Sequence, residues 1–165
     1  MEKNQPKSEV KLMLQLTNEF RDESDRAAAV LAAAYLDHLL GELISATMTA
    51  EPEEVEEMLF QKGNGPLGTF SARIDTAYCL GLLSRDERGD LHLIRKIRND
   101  FAHKLAGMSF EGTQTIANRC RELKSARIGG RPKSLRESFS KASVRLMVDI
   151  ILRIQEKGNH KEREA

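Results

Sequence analysis

The segment LHLIRKIRNDFAH, residues 91–103, decides the fold of this chain. Leu91, Ile94, Phe101 and Leu105 fall at i, i+3, i+10 and i+14, which is the spacing of one apolar stripe on an α-helix. Arg98 occupies the position in this stripe where an apolar residue is expected. An unpaired buried charge costs several kcal/mol of desolvation, so a buried guanidinium needs a carboxylate partner. The segment therefore predicts a core helix that carries a structural ion pair.

The partner that we predict for Arg98 is Asp37 or Asp75. Asp37 interrupts the apolar stripe of the longest predicted helix, residues 23–48, much as Arg98 interrupts its own stripe. Asp75 lies on the predicted helix 70–83. Opposite charges on two apolar stripes favour an ion pair when the helices pack together.

The whole chain shows the periodicity of helices rather than strands. Apolar residues recur at helical spacing in segments 8–20, 23–48, 51–60, 70–83, from Asp90 or Leu91 through 103, 111–125 and 134–157. No segment alternates β-branched and polar residues as a half-buried strand does. The sequence therefore predicts an all-α, single-domain helical bundle of about seven helices over residues 8–158. The polar ends, 1–7 and 159–165, are expected to be disordered.

Composition predicts a cytoplasmic globular protein. The 165 residues are 40% hydrophobic and 31% charged, as in ordinary single domains. The chain has two cysteines, Cys79 and Cys120, and its polar start lacks the apolar core of a signal peptide, so no disulfide is expected. The longest apolar run, residues 27–36, is about half the length that spans a bilayer, so no membrane segment is expected.

Two further patterns lead to no metal or cofactor prediction. His38 and Glu42 are i, i+4 neighbours on a predicted helix, but no third ligand stands at a usable spacing. The glycine-rich loop 63–68 follows no strand and precedes no Gly-Lys-Ser/Thr, so it lacks the pattern of a phosphate-binding loop. We therefore predict neither a metal site nor a cofactor.

A helix-turn-helix that reads DNA is disfavoured for two reasons. The polar turn predicted at 84–90 is about twice the usual length of three or four residues. The helix that follows it uses Leu91, Ile94, Ile97 and Phe101 for burial, which leaves few side chains to enter a groove.

The net charge of +1 hides an uneven distribution of charged residues. Acidic residues are concentrated at 51–57, whereas residues 119–145 hold nine Lys/Arg against two Glu, a local charge of +7. Such a basic segment favours contact with nucleic acid or an acidic partner. Its candidate contact residues are Lys124, Arg127, Arg131, Lys133 and Arg136.

Arg98, Asn99 and His103 resemble the R-x4-H signature of the HEPN superfamily of helical domains, in which Asn often follows the Arg. Many HEPN members are metal-independent ribonucleases whose Arg and His line a cleft, commonly at a dimer interface. The resemblance implies that His103 acts as general acid or base and that Arg98 stabilises charge on phosphate. It also implies that Asn99 orients one of them and that the chain forms a homodimer.

A wider resemblance rests on LGTFSARID at 67–75, AYCLGLL at 77–83 and residues 90–103. These segments are similar to the mannitol operon repressor (MltR) family of bacterial regulators, and the likeness extends from about Asn18 to about Gln155. The resemblance implies an all-helical cytoplasmic protein associated with transcriptional repression of a sugar-alcohol operon. It implies no characterised DNA-reading motif.

Three functions are compatible with these patterns. We rank first an MltR-like transcriptional regulator that binds nucleic acid or another regulatory protein. A non-catalytic interaction scaffold, in which Arg98 serves packing alone, comes second. A HEPN-type metal-independent endoribonuclease comes third, because the wide resemblance is to a regulator and the catalytic signature is short. The sequence thus favours a protein that is not an enzyme.

Overall fold

The computed structural model describes residues 5–61, 65–104 and 106–164. Within these ranges the chain forms seven α-helices and no strand, which confirms the predicted all-α bundle. The helices are α1 Gln5–Arg21, α2 Asp25–Ser45, α3 Pro52–Val55, α4 Phe70–Cys79, α5 Arg85–His103, α6 Gln114–Glu122 and α7 Leu135–Glu164. A π-helical turn, Glu56–Phe60, continues α3, and a 3-10 turn, Ser125–Arg127, follows α6.

Helix α2 lies at the centre of the bundle and packs against α7, α5 and α4. Its alanines allow close approach of these neighbours. Eight of its residues are buried: Ala28, Ala29, Ala32, Ala33, Leu36, Leu40, Leu43 and Ile44. By length and composition alone α2 would suffice to span a membrane. Its contacts with three helices account for that apolar composition.

Three phenylalanines join α5, the loop before α6, and α7. The ring centroids of Phe101 and Phe110 are 5.1 Å apart at an interplanar angle of 64°, and those of Phe110 and Phe139 are 4.9 Å apart at 35°. All three side chains are fully buried. Edge-to-face and offset ring pairs of this kind add to the stabilisation from apolar burial. The C-terminal half of α5 is thus fixed against α7.

Local hydrogen bonds end α4 and begin α5 earlier than predicted. Gly81 adopts a φ of +72°, which favours glycine, and the Leu82 N–H donates to the Ala77 carbonyl at 2.9 Å, so α4 ends at Cys79 and not at residue 83. Ser84 then caps α5 in a capping box with Glu87. The predicted start at Asp90 or Leu91, and the polar turn 84–90, are therefore wrong.

The last helix also differs from its predicted bounds. Helix α7 continues past Gly158, the predicted stop, to Glu164. Residues 5–7 belong to α1 and residues 159–164 to α7, whereas residues 1–4 and 165 lie outside the described ranges. Leu105 of the predicted stripe and residues 62–64 of the predicted glycine loop also lie outside them.

Candidate functional site

The buried face of α5 comprises Asp90, Leu91, Ile94, Ile97 and Phe101. Residues 97 and 98 both lie at helical spacing from Ile94 and from Phe101. Periodicity alone therefore does not show which of the two is buried. Packing places the apolar side chain of Ile97 in the core and leaves residue 98 half-buried at the edge of the face. The predicted position of Arg98 within the buried stripe is therefore wrong.

The carboxylate of Asp37 pairs with Arg73, which α4 brings against α2. Arg73 Nη1 lies 3.1 Å from Asp37 Oδ1 and donates to the Asp37 carbonyl as well. The same guanidinium donates from Nε to the Leu67 carbonyl at 2.8 Å and lies 4.9 Å from the centroid of the Phe60 ring. Burial raises the pKa of Asp37, although the positive charges of Arg73 and then Arg98 oppose this shift. Arg98 thus acts on Asp37 through longer-range electrostatics alone.

The carboxylate of Asp75 pairs with two residues of α5. Its Oδ1 lies 2.6 Å from Arg88 Nη2 and 3.1 Å from His92 Nε2. Hydrogen bonds from Arg88 and then His92 lower the pKa of Asp75. Neither Asp37 nor Asp75 forms an ion pair with Arg98 in the part of the chain that the structure describes. The predicted ion pair is therefore wrong, because closer arginines take both carboxylates.

Arg98, Asn99 and His103 lie along the polar side of α5. Across the described ranges their side chains form no hydrogen bond or ion pair within the chain, and His103 is exposed at the end of the helix. Five residues separate Arg98 from His103 by about 7.5 Å of rise and about 140° of rotation. One helix therefore does not direct both side chains to the same point, and their catalytic roles stay a prediction.

The basic segment after α6 is held in place by a buried carboxylate of α5. Asp90 is 2% exposed and accepts the backbone N–H groups of Lys124 at 3.0 Å and Ser125 at 2.7 Å. These bonds fix the start of the 3-10 turn Ser125–Arg127. The signal of this role in the sequence is an acidic residue beside Leu91 on an apolar face.

A groove of about 770 Å³ lies between this turn and the start of α7. The loop that bounds it turns at Gly129 and Gly130, whose φ values are +84° and +124°. The groove is lined by four cationic side chains and one carboxylate: Arg121, Arg127, Arg131, Lys133 and Glu111. Three of the five residues predicted to contact nucleic acid thus meet in one groove.

The other two predicted contact residues have partners within the chain. Arg136 pairs with the Asp25 carboxylate and donates to the Phe20 carbonyl at 3.0 Å, so it joins α7 to the turn between α1 and α2. These bonds occupy much of the Arg136 guanidinium, and its contact with nucleic acid stays a prediction. Lys124 is more exposed and pairs with Asp86 at 2.6 Å.

A second groove of about 580 Å³ adjoins the first and shares Arg127 with it. It adds four basic side chains to the surface: Arg85, His92, Lys96 and Lys124. Its acidic residues are Asp86, Asp90 and Glu122. The i, i+4 neighbours His38 and Glu42 lie away from both grooves, 3.3 Å apart on the exposed side of α2. The described residues include no group of three candidate metal ligands.

The structure defines a helical bundle built around α2, with a basic groove formed between the 3-10 turn and α7. No protein-family profile and no curated protein matches the sequence. The fold is similar to that of a chain in the X-ray structure of the MtlR-HPr complex from Escherichia coli, with a TM-score of 0.69 at 18% sequence identity. The superposition covers 85% of this chain and 98% of that one. The chain therefore has an MtlR-like fold, as the resemblance implied.

Proposed function

We propose that this chain is a cytoplasmic transcriptional regulator of the mannitol operon repressor type that acts by binding a partner protein and not by catalysis. The observation that carries this proposal is the likeness of almost the whole bundle to a chain of the MtlR-HPr complex. Fold likeness is an argument by analogy. The surface adds a physical argument, because acidic residues at 51–57 and basic residues at 121–133 offer charged faces of both signs.

The regulator is a homodimer in this proposal. Its support is the outer side of α2, where the side chains of Val30, Leu31 and Tyr35 are 39%, 38% and 40% exposed. Neighbouring exposed apolar residues on one helix favour association with another protein surface. An α2 face of this composition suits contact between two copies, because the same apolar surface is present on both.

Binding of HPr tests the proposed function. We expect purified chain and Escherichia coli HPr to form a complex in size-exclusion chromatography with light scattering, and to give a saturable isotherm in calorimetry. The same chromatography is expected to give twice the mass of one chain for the protein alone. A heat-denatured sample of HPr serves as the control. Absence of a complex and of heat exchange would contradict a partner of this kind.

A ribonuclease is the second candidate, and one observation favours it. The side chains of Arg98, Asn99 and His103 form no hydrogen bond or ion pair within the described ranges, so only the longer-range effect of Arg98 on Asp37 supports a structural role for them. In such an enzyme His103 would transfer the proton and Arg98 would stabilise the charged phosphate. Because the two are separated along α5, either the long Arg98 side chain reaches forward or a second subunit supplies the missing half of the site.

RNA cleavage distinguishes the two candidates. The regulator proposal expects no cleavage of a structured RNA by the wild-type protein in the presence of a chelator. His38 is a matched control residue, since it is also an exposed histidine but lies on α2. Chelator-resistant cleavage that is lost in His103→Ala and kept in His38→Ala would replace the regulator with a ribonuclease. Cleavage unchanged in both variants would indicate a contaminating nuclease and leave the regulator proposal standing.

A further inference from the structure

The groove at the start of α7 carries more positive charge than its own carboxylate balances. Glu111 is the acidic residue of its lining, and the carboxylate accepts the backbone N–H groups of Leu135 at 2.7 Å and Arg136 at 3.3 Å. These bonds hold Glu111 at the N-terminus of α7, where the helix dipole favours an anion. One carboxylate therefore faces four cationic side chains, and it forms no ion pair with any of them in the described structure.

The groove cations differ from six other arginines of the bundle. Six arginines outside the groove pair with carboxylates: Arg73 with Asp37, Arg88 with Asp75, Arg119 with Asp100, Arg136 with Asp25, Arg145 with Asp149 and Arg153 with Glu87. In the groove, Arg121 donates to the Asn118 amide oxygen and Arg127 to the Arg121 carbonyl. The side chains of Arg131 and Lys133 have no such partner among the described residues. Their charge is thus available to an external anion.

The second groove extends this surface on the other side of Arg127. It contributes Arg85 and Lys96, which form no ion pair in the described ranges, together with Lys124. Of its three acidic residues, Asp90 is occupied by two backbone N–H groups and Asp86 pairs with Lys124, whereas Glu122 forms no ion pair in the described ranges. Two grooves that share one arginine form a surface longer than a single phosphate requires. An extended surface of this kind fits a ligand with repeated negative charges.

The lining also indicates which part of such a ligand is bound. Neither groove contains Phe, Tyr or Trp, so aromatic platforms for stacking the bases of a single strand are absent from their linings. Arginine and lysine side chains bind phosphate oxygens without regard to base sequence. From these observations we propose that the two grooves form one track, centred on Arg127, that binds the phosphate backbone of double-stranded nucleic acid without reading its sequence. This inference goes beyond the proposed function, because a protein-binding regulator needs no nucleic-acid surface.

Fluorescence anisotropy of labelled duplexes over a range of salt concentrations tests the track. We expect wild-type protein to bind two DNA duplexes of unrelated sequence equally, with affinity that falls steeply as salt rises. Each phosphate contact contributes about 0.9 to the slope of log affinity against log salt. Arg131→Ala/Lys133→Ala should therefore reduce the slope by about 1.8.

Lys157→Ala is the matched control for this experiment. Lys157 is exposed on α7, about 33 Å from residue 135 by helical rise, and its substitution removes one positive charge where the double variant removes two. It should leave the salt slope unchanged, and circular dichroism should show that all variants are folded. The track is refuted if the double variant keeps the wild-type slope, or if a single strand binds more tightly than the duplex. Stoichiometric binding of pyrophosphate without duplex binding would also overturn it and assign the groove to small phosphorylated ligands.

Discussion

Asp90→Ala is expected to lower the free energy of unfolding by about 3 kcal/mol, because two backbone N–H groups lose a charged acceptor in a buried site. The carboxylate is 2% exposed and accepts from Lys124 and Ser125, whose own side chain is buried. Water therefore has little access to the groups left unpaired. Urea denaturation followed by far-UV circular dichroism measures the difference.

Asp86→Ala provides a matched control on the same helix. Asp86 also contacts Lys124, but it pairs with the side-chain ammonium group at 2.6 Å in an exposed position. Exposed ion pairs contribute little, so this variant should lose less than about 1 kcal/mol. Equal effects in Asp86→Ala and Asp90→Ala would contradict the anchoring role of Asp90. Because that anchor fixes the 3-10 turn before Arg127, folded Asp90→Ala protein should also bind duplex more weakly than Asp86→Ala protein.

The existence of the helices was predictable from the sequence, whereas several of their ends were not. Apolar periodicity reports which face of a helix is buried, and it identified Leu91, Ile94 and Phe101 correctly. The ends depend on single hydrogen bonds. A glycine at position 81 and a serine three residues before Glu87 are sequence signals for the end of α4 and the start of α5. The polar stretch of seven residues at 84–90 is equally typical of a turn, so these signals did not decide the boundary.

The partner of Arg98 could not be predicted, because that choice depends on the distance between helices. Asp37 is close enough to both Arg73 and Arg98 for each to oppose the upward shift of its pKa, yet the hydrogen bonds form with Arg73. The Leu67 carbonyl and the Phe60 ring hold the Arg73 guanidinium in position. These groups lie in three different segments, and periodicity within one helix does not report how such segments meet.

The density of basic residues in the sequence indicated the groove. It did not show which of these residues pair with a carboxylate of the chain and which form no ion pair. Arg131 and Arg136 are five positions apart in one basic segment and look equivalent in the sequence. In the structure Arg131 lines the groove, whereas Arg136 pairs with Asp25, which is 111 residues earlier in the chain. Long-range pairing therefore decides which member of a basic segment is available to a ligand.

Arg136→Ala is expected to destabilise the fold by about 2 kcal/mol and to leave the salt slope of duplex binding unchanged. The side chains of Arg136 and Asp25 are 28% and 24% exposed, so the cost expected for breaking a buried pair is reduced by solvent screening. Its removal also leaves the Phe20 carbonyl without this donor at the connection between α1 and α2. Thermal and urea unfolding measure the loss, and anisotropy measures the slope.

Arg145→Ala is the matched control, because Arg145 lies on the same helix in an i, i+4 pair with Asp149 at 2.9 Å. Pairs of this type contribute about 0.3–0.5 kcal/mol, so this variant should be close to wild type in stability. Arg136→Lys keeps the charge but lacks the guanidinium fork that contacts a carboxylate and a carbonyl together, and an intermediate loss is expected. If Arg136→Ala were as stable as Arg145→Ala but lost duplex affinity, Arg136 would be a contact residue after all. The opposite pattern would establish that Arg136, a cation within the basic segment, serves the fold.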